Sequence, residues 1–207
     1  MSTAPTTEKG RRTRARIVDA AAELFYERGV SATGLGDVIA ASGTGKGQLY
    51  HFFTDKGDLV SAVIRHQVEG TLAPQRELGL HRLADLQEWA RQAVLQHERS
   101  PVMRCPLGSL VVELSNRNAD AASALEAGFA QWRELMSGWI AQLQRRGEAR
   151  TDLPADDLAD SILAAYQGGL VLARSRGDLR PLETALAMAI EGIGSRRAPA
   201  GRHRAHG

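Results

Sequence analysis

The residue types with the most evident chemistry lie in one short stretch, Thr44 to Lys56, which reads Thr-Gly-Lys-Gly-Gln-Leu-Tyr-His-Phe-Phe-Thr-Asp-Lys. Its apolar residues have helical spacing, so a short helix would turn Leu49 and either Phe52 or Phe53 inward. The donors left on the outer face are Lys46, Gln48, Tyr50 and His51. Such groups bind phosphates and base edges, so the stretch predicts a contact with DNA.

A second short helix is predicted immediately upstream. Thr33 is a residue type that caps helices, and Leu35, Val38 and Ile39 would share one face of the helix that follows. Gly43 tolerates the left-handed backbone that commonly ends a helix. Two short helices joined by a turn that contains glycine form a helix-turn-helix.

This region resembles the DNA-binding head of the TetR family of bacterial regulators. The family's recognition helix runs Lys-Gly-Thr-Leu-Tyr-x-x-Phe, which corresponds to Lys46 to Phe53 here, followed by a polar turn with Lys56. The resemblance extends upstream over Arg12 to Gly29. Thr44 stands where the family usually has a hydrophobic residue, and Gly45 stands where it usually has a Ser cap. The resemblance implies a regulator that binds double-stranded operator DNA.

The resemblance also implies how the DNA contacts divide. Phosphate contacts fix register, whereas contacts with base edges specify sequence. We expect Lys46, Gly47 and Gln48 to lie nearest to the base edges, with Gln48 carrying specificity through adenine. The residues expected to contact phosphates are Arg12, Arg14, Thr33, Tyr50, His51 and Lys56. Thr44 completes the predicted DNA-binding set.

Composition limits the class of protein. The chain has 207 residues, of which 43% are hydrophobic and 24% charged, as is typical of a soluble globular protein. No run approaches the roughly 18 apolar residues of a membrane-spanning helix, and the start of the chain lacks the apolar core of a secretory signal. The single cysteine, Cys105, excludes an intramolecular disulfide and agrees with a reducing compartment. We expect a cytoplasmic protein with no membrane partner.

Helical periodicity fills the remainder of the chain and strand signals are nearly absent, so we predict an all-α fold. Its N-terminal head would have three helices, including the helix-turn-helix, and a helical body would bind a ligand and form a dimer. We expect the helix that begins near Asp58 to break near Pro74. The predicted divisions are a flexible basic arm at 1–10, the DNA-binding domain at 11–57, the body at 58–195 and a flexible tail at 196–207.

Two strongly apolar helices are predicted in the last third of the chain, from Asp156 to Arg176 and from Leu182 to Ile193. TetR-like proteins dimerise through their last two long helices, so the resemblance implies a homodimer. An internal Gly168-Gly169 pair predicts close approach of another helix. The predicted interface residues are Leu158, Ile162, Gly168, Gly169, Leu186 and Ile190.

The body begins with a second, shorter resemblance. The segment from Arg104 to Leu114 is similar to the start of the body in the LmrA/YxaF-like branch of the family. The family resemblance implies a pocket between helices for a small, mostly apolar effector. The predicted lining residues are Trp89, Met103, Cys105, Trp132, Met136 and Tyr166.

Cys105 admits a second interpretation. A thiol near a helix N-terminus with Arg104 beside it can react with oxidants or electrophiles, which would make the protein a redox or electrophile sensor. The interpretation that we favour is a buried cysteine that packs as a small hydrophobic residue.

No catalytic signature is evident. Gly43-x-Gly45-Lys46-Gly47 lacks the spacing of a phosphate-binding loop, because Gly follows the Lys where Ser or Thr is needed. The histidines, at 51, 66, 81, 97, 203 and 206, have no zinc-site spacing, and the carboxylates at 152, 156, 157 and 160 resemble a helix start. We expect no enzyme activity, cofactor or metal. The open alternatives are a helical small-molecule enzyme and a protein-interaction module that uses the last helices.

Overall fold

The computed structural model describes residues 5, 7–99, 103–115 and 118–194. Over these residues it contains nine α-helices and no strand, which confirms the predicted all-α class. The helices are α1 (Glu8–Arg28), α2 (Leu35–Ser42), α3 (Lys46–Phe52), α4 (Lys56–Arg76), α5 (Leu83–Glu98), α6 (Pro106–Leu114), α7 (Ala119–Arg145), α8 (Ala155–Arg176) and α9 (Arg180–Ile193).

The chain divides into two compact units. The first comprises Met1–Leu78 and Arg104–Trp132, and the second comprises Gly79–Met103 and Arg133–Gly207. Helices α4 and α6 therefore belong to the same compact unit as the three helices of the head. The predicted division after residue 57 follows a functional motif and not compactness, so it stays a prediction.

The first unit has its core around α1, which packs against α2, α3 and α4, while α4 packs against α6. Helix α1 presents Ile17, Ala21 and Phe25 to this core, all at most 3% exposed. Leu49 of α3 and Phe53, the residue that follows this helix, are both fully buried. Full burial of a large apolar side chain contributes about 1.5–3 kcal/mol, so these contacts fix α3 against α1.

Helix α1 begins earlier than expected. The Thr7 hydroxyl accepts a hydrogen bond from the backbone N–H of Gly10 at 3.1 Å, and Glu8 lies at the positive end of the helix dipole. The prediction of a flexible arm over 1–10 is therefore wrong from Glu8 onward. Residues 1–4 and 6 and the predicted tail at 196–207 lie outside the described residues.

One predicted helix boundary needs correction, and the predicted end of α4 near Pro74 lies within two residues of the observed end. Helix α2 is capped at Gly34 and not by Thr33, because the Asp37 carboxylate accepts the Gly34 N–H at 2.7 Å. Helix α4 continues through Pro74 to Arg76. Since the proline lies in the last turn, it removes only a terminal hydrogen bond and does not break the helix earlier.

In the second unit, α9 packs against both α8 and α5. A Cβ atom placed on Gly169 would lie 2.7 Å from the Cα atom of Leu182, a backbone atom of α9. The close approach predicted from the glycine pair is therefore confirmed at Gly169. Gly168 has no such neighbour within 4 Å and is exposed.

Candidate nucleic-acid interface

The turn between α2 and α3 aims the recognition helix. Gly43 ends α2 in the left-handed region, with φ of 62°. The hydroxyl groups of Ser42 and Thr44 lie 2.8 Å apart and are buried, so a hydrogen bond occupies the place of the family's hydrophobic turn residue. The side chain of Thr44 is consequently not accessible to DNA. A DNA contact by the Thr44 side chain was therefore a wrong prediction.

Gln48 supplies the helix cap that the family usually takes from a Ser at the position of Gly45. Its side-chain oxygen accepts the backbone N–H of Gly45 at 3.1 Å, and this bond caps α3 from the third helical position. The side chain is exposed on the outer face, as predicted. Reading adenine uses both the oxygen and the nitrogen of the amide. Reading adenine as expected would therefore require Gln48 to share or give up its bond to the Gly45 N–H.

The outer face of α3 carries the predicted donors. Lys46, Gly47, Tyr50 and His51 are all exposed, and the Tyr50 side chain keeps 47% of its surface accessible. The Lys46 ammonium lies 6.0 Å from the centre of the Tyr50 ring. Leu49 and Phe52 face inward, as predicted. No atom lies within 4 Å of a Cβ atom built on Gly47, so another chain can approach its backbone closely.

The first turns of α1 line a groove together with α3. This groove places Lys9 on the same side as Gln48 and His51, although Lys9 was predicted only as part of a basic segment. A run of charge in the sequence gives no information about which cation faces a groove. The lining residues are Thr7, Lys9, Gly10, Thr13, Gly47, Gln48, His51 and Phe52.

Arg12 is exposed, but it is already paired. The Glu8 carboxylate accepts the Arg12 Nε–H at 3.0 Å and an Arg11 N–H at 2.8 Å. Arg11, and then Arg12, lowers the pKa of the Glu8 carboxyl. The Glu8 bond uses only the Nε–H of Arg12, and the exposed guanidinium has further N–H donors that can contact a phosphate.

Arg14 and Thr33 are placed differently from the prediction. The Arg14 guanidinium lies over the Phe53 ring, 5.1 Å from its centre, and burial and then the charge of Arg65 lower the pKa of Arg14. Arg14 thus packs on the core and is only partly exposed. Thr33 is 1% exposed and its hydroxyl donates to the Gly29 carbonyl at 2.8 Å. A phosphate contact by the Thr33 side chain was therefore a wrong prediction.

Lys56 is the first residue of α4 and is half-buried. The Asp55 side chain caps this helix by accepting the Asp58 N–H at 2.9 Å, and Asp58 accepts the Thr54 N–H at 3.0 Å. Hydrogen bonds from Thr54 lower the pKa of Asp58. The reciprocal caps hold the start of α4 rigidly, so Lys56 is carried on an ordered helix end.

A buried polar pair occupies the second unit. The His97 Nε2 atom lies 2.8 Å from the Tyr166 hydroxyl, and the centre of the Trp89 ring lies 6.4 Å from that of Tyr166. The Nδ1 atom of His97 is buried without a hydrogen-bond partner among the described residues. Burial lowers the pKa of His97. Sequence reasoning included Trp89 and Tyr166 but missed His97, because the spacing of the histidines carries no signal.

The other predicted pocket residues are divided between the two units. Met103 and Met136 belong with Trp89 and Tyr166 in the second unit, whereas Cys105 and Trp132 belong to the first. The Trp132 indole N–H donates to the Gln75 side-chain oxygen at 3.1 Å. Cys105 precedes α6 as its N-cap and is only 4% exposed. These residues stay predictions as effector contacts.

The described part of the chain contains no group of three or more His, Cys, Asp or Glu residues that could hold a metal ion. Among the described helices, none is long and apolar enough to span a membrane.

Similarity to known proteins agrees with the geometry of the head. Residues 17–63 match the family of bacterial regulatory proteins named tetR, and residues 83–188 match the C-terminal domain of LmrA/YxaF-like transcriptional regulators. A helix-turn-helix transcriptional regulator from the lacX 3' region of Lactococcus lactis is 30% identical over 183 residues, which cover 84% of this chain and 89% of that protein. The chain belongs to the TetR family.

Two further comparisons extend over most of the chain. The helix-turn-helix transcriptional repressor DhaR of Mycobacterium sp. strain GP1 is 26% identical over 192 residues, covering 87% of this chain and 91% of DhaR. A TetR transcriptional regulator from Chloroflexus aurantiacus, known from its crystal structure, is 28% identical in sequence. Its structure matches with a TM-score of 0.78 and covers 92% of this chain and 100% of that one. The protein is a DNA-binding transcriptional regulator, and the similar proteins are regulators and not enzymes.

The predicted dimer residues require a correction. Leu158, Ile162, Gly169, Leu186 and Ile190 are buried within the second unit of a single chain, so they are not accessible to a second copy. Apolar residues do remain on the opposite faces of α8 and α9. The exposed fractions there are 66% for Val171, 50% for Leu172 and 64% for Met188, and Gly168 lies on the same exposed face of α8.

Proposed function

We propose that this TetR-family regulator is a homodimeric repressor that binds a palindromic operator and is released from it by a small, mostly apolar effector. The observation that carries the proposal is the outer face of α3, where exposed Lys46, Gln48 and Tyr50 project from an inward anchor of Leu49. Lys9 supplies a further cation to the adjacent groove. This combination offers base-edge donors and phosphate contacts on one surface. We expect the protein to act in the cytoplasm, where bacterial DNA lies.

Dimerisation is supported by the exposed apolar face of α8 and α9. Val171, Leu172 and Met188 expose large apolar side chains, and Gly168 and Ala164 beside them would permit close helix approach. A two-fold dimer presents two identical heads. Its operator is therefore expected to contain two inverted half-sites about one helical turn apart, near 34 Å. The contact surface proposed here replaces the buried residues predicted from the sequence.

The effector site is proposed in the second unit, beside Trp89 and Tyr166. We add His97 to this site because its buried Nδ1 atom has no hydrogen-bond partner among the described residues, which is costly. A polar atom of the effector would form a hydrogen bond with this nitrogen. An effector that binds better to dimers with another head spacing would shift the population away from the DNA-binding form. Linkage then requires operator DNA to weaken effector binding by the same factor.

Selection from random duplex DNA, followed by fluorescence-anisotropy titration and analytical ultracentrifugation, tests the proposal. We expect one inverted-repeat sequence bound by two protein chains, with affinity that falls steeply as salt rises. A compound library screened for release of the selected duplex then tests induction. Failure to select any sequence, or binding of a single chain to a site without symmetry, would contradict the proposed function.

A further inference from the structure

One carboxylate of α6 holds the turn that leads from α1 into the helix-turn-helix. The two oxygens of Glu113 accept consecutive backbone N–H groups, that of Val30 at 2.8 Å and that of Ser31 at 2.5 Å. Hydrogen bonds to a charged acceptor are about twice as strong as neutral ones. Both donors lie in the loop between α1 and α2, 83 and 82 residues away in sequence.

The backbone of this turn is shaped to receive the carboxylate. Gly29 has a φ of 88°, a conformation that L side chains rarely adopt. A Cβ atom there would lie 3.2 Å from Glu113 Oε2, so a side chain would crowd the carboxylate. The turn is also closed internally, because Thr33 donates its N–H to the Val30 carbonyl at 3.2 Å. Glu113 therefore accepts hydrogen bonds from two backbone N–H groups, those of Val30 and Ser31, that point out of the turn.

A second attachment joins the segment before α6 to the last turn of α1. The Tyr26 hydroxyl donates to the Arg104 carbonyl at 3.0 Å, and the Arg104 guanidinium lies 4.9 Å from the centre of the Tyr26 ring. Between the two attachments lies a cavity of about 40 Å³, which Gln67 of α4 also lines. A space of this size holds only one or a few water molecules. The end of α1 is thus fastened before the start of α6, and the loop that follows α1 is fastened near the end of α6.

We infer that Glu113 is a positioning residue for specific DNA binding, which holds the α1–α2 turn so that the recognition helix is presented in one orientation. Hydrogen bonds depend steeply on distance and angle, so a shift of α6 by an ångström would weaken both bonds together. The freed turn would then have to be ordered again whenever DNA binds, at an entropic cost. The inference rests on the proposed operator binding, and it gives α6 a direct connection to the head.

Contacts with base edges carry the sequence information, whereas phosphate contacts are the same on any sequence. Loss of the Glu113 bonds should therefore weaken binding to the selected operator more than binding to unrelated DNA. Glu113→Gln keeps the shape and one acceptor but places an amide NH₂ against the second backbone N–H. Glu113→Ala removes both acceptors. The matched control is Glu126→Gln, which makes the same charge change at an exposed position of α7 in the same unit.

The test combines amide hydrogen exchange with anisotropy titrations of the selected operator and of a scrambled duplex. For Glu113→Gln we expect faster exchange confined to Val30 and Ser31, a melting temperature near that of the unaltered protein, and operator affinity lower by about tenfold. Scrambled-duplex affinity should stay within about twofold, and Glu126→Gln should change nothing. Glu113→Ala should lose more operator affinity than Glu113→Gln.

Two outcomes would overturn the inference, and they differ from a failure of the proposed function. In one, Val30 and Ser31 exchange as fast in the unaltered protein as in the variants. In the other, their exchange accelerates but operator affinity does not change, or both duplexes weaken equally. If the unaltered protein selects no operator at all, the proposed function fails and the role of Glu113 fails with it.

Discussion

His97 and Tyr166 are 69 residues apart in sequence, yet the His97 Nε2 atom lies 2.8 Å from the Tyr166 hydroxyl inside the second unit. Burial lowers the pKa of His97, so the folded protein binds a proton there less readily than the unfolded chain. The unfolded chain protonates histidine near pH 6.5. The contribution of His97 to the free energy of unfolding is therefore fully present above about pH 6.5, and it falls as the pH decreases below that value.

Replacing His97 should make stability less sensitive to acid. Between about pH 7.5 and about pH 5.5, we expect the melting temperature of His97→Gln to fall less than that of the unaltered protein. His66→Gln is the matched control, because it removes a histidine that is exposed. The His66 Nε2 atom lies 3.5 Å from the Asp19 carboxylate. Equal decreases for His97→Gln and the unaltered protein, measured by circular dichroism, would show that His97 does not carry the effect.

Gln48→Ala should relax the choice of base at one position in each half-site. The expected loss is about 1–3 kcal/mol for the preferred base, and binding to unrelated DNA should change little. Part of the loss has a structural origin, because the variant also loses the bond to the Gly45 N–H. Titrations against operators that carry all four bases at that position measure the effect. Uniform weakening for every base would assign Gln48 to capping alone.

Lys9→Ala should weaken specific and unrelated DNA alike. Because Lys9 is expected to meet a phosphate, its loss should reduce the slope of log affinity against log salt by about 0.9 per head. Arg145→Ala removes an exposed cation from the end of α7 and serves as the control. An unchanged salt slope for Lys9→Ala would place Lys9 outside the DNA contact.

Met188→Glu should separate the dimer without unfolding the chain. Met188 is exposed in the single chain, so a carboxylate there is solvated in the monomer and costs several kcal/mol only when a partner buries it. Val112→Glu makes the same kind of change at an apolar side chain that is 87% exposed on α6. Sedimentation should show monomers for Met188→Glu and dimers for Val112→Glu. Dimers in both would locate the interface elsewhere.

Oxidants should not control DNA release if Cys105 acts by packing. Its 4% exposure limits access to peroxide. Hydrogen peroxide is then expected to leave operator binding unchanged in both the unaltered protein and Cys105→Ser. Release that occurs only when Cys105 is present, and that reverses with dithiothreitol, would instead support the thiol-sensor alternative.

Local periodicity was enough to predict the head. The spacing of Leu49 and Phe52 predicts the inward face of α3, because residues about one turn apart lie on the same side of a helix. Gly169 predicts a helix contact, because glycine without such a contact destabilises a helix. The buried face of α9 was also recognisable, but its partner was not. An apolar stripe through Leu186 looks the same whether it packs on its own chain or on a second copy. The partners of His97 and Glu113 depend on tertiary proximity, which no spacing in the sequence encodes.

Glu8 has a consequence for how the regulator searches a chromosome. By holding Arg11 and Arg12, its carboxylate competes with every phosphate that the two arginines meet. The negative charge of Glu8 lowers the net positive charge that this end of α1 presents, so we expect the attraction to arbitrary sequence to be smaller than the number of cations suggests. A genome offers about 10⁶–10⁹ competing sites. We therefore expect the acidic residue in the first turn of α1 to shorten the time that the regulator spends bound to unrelated DNA.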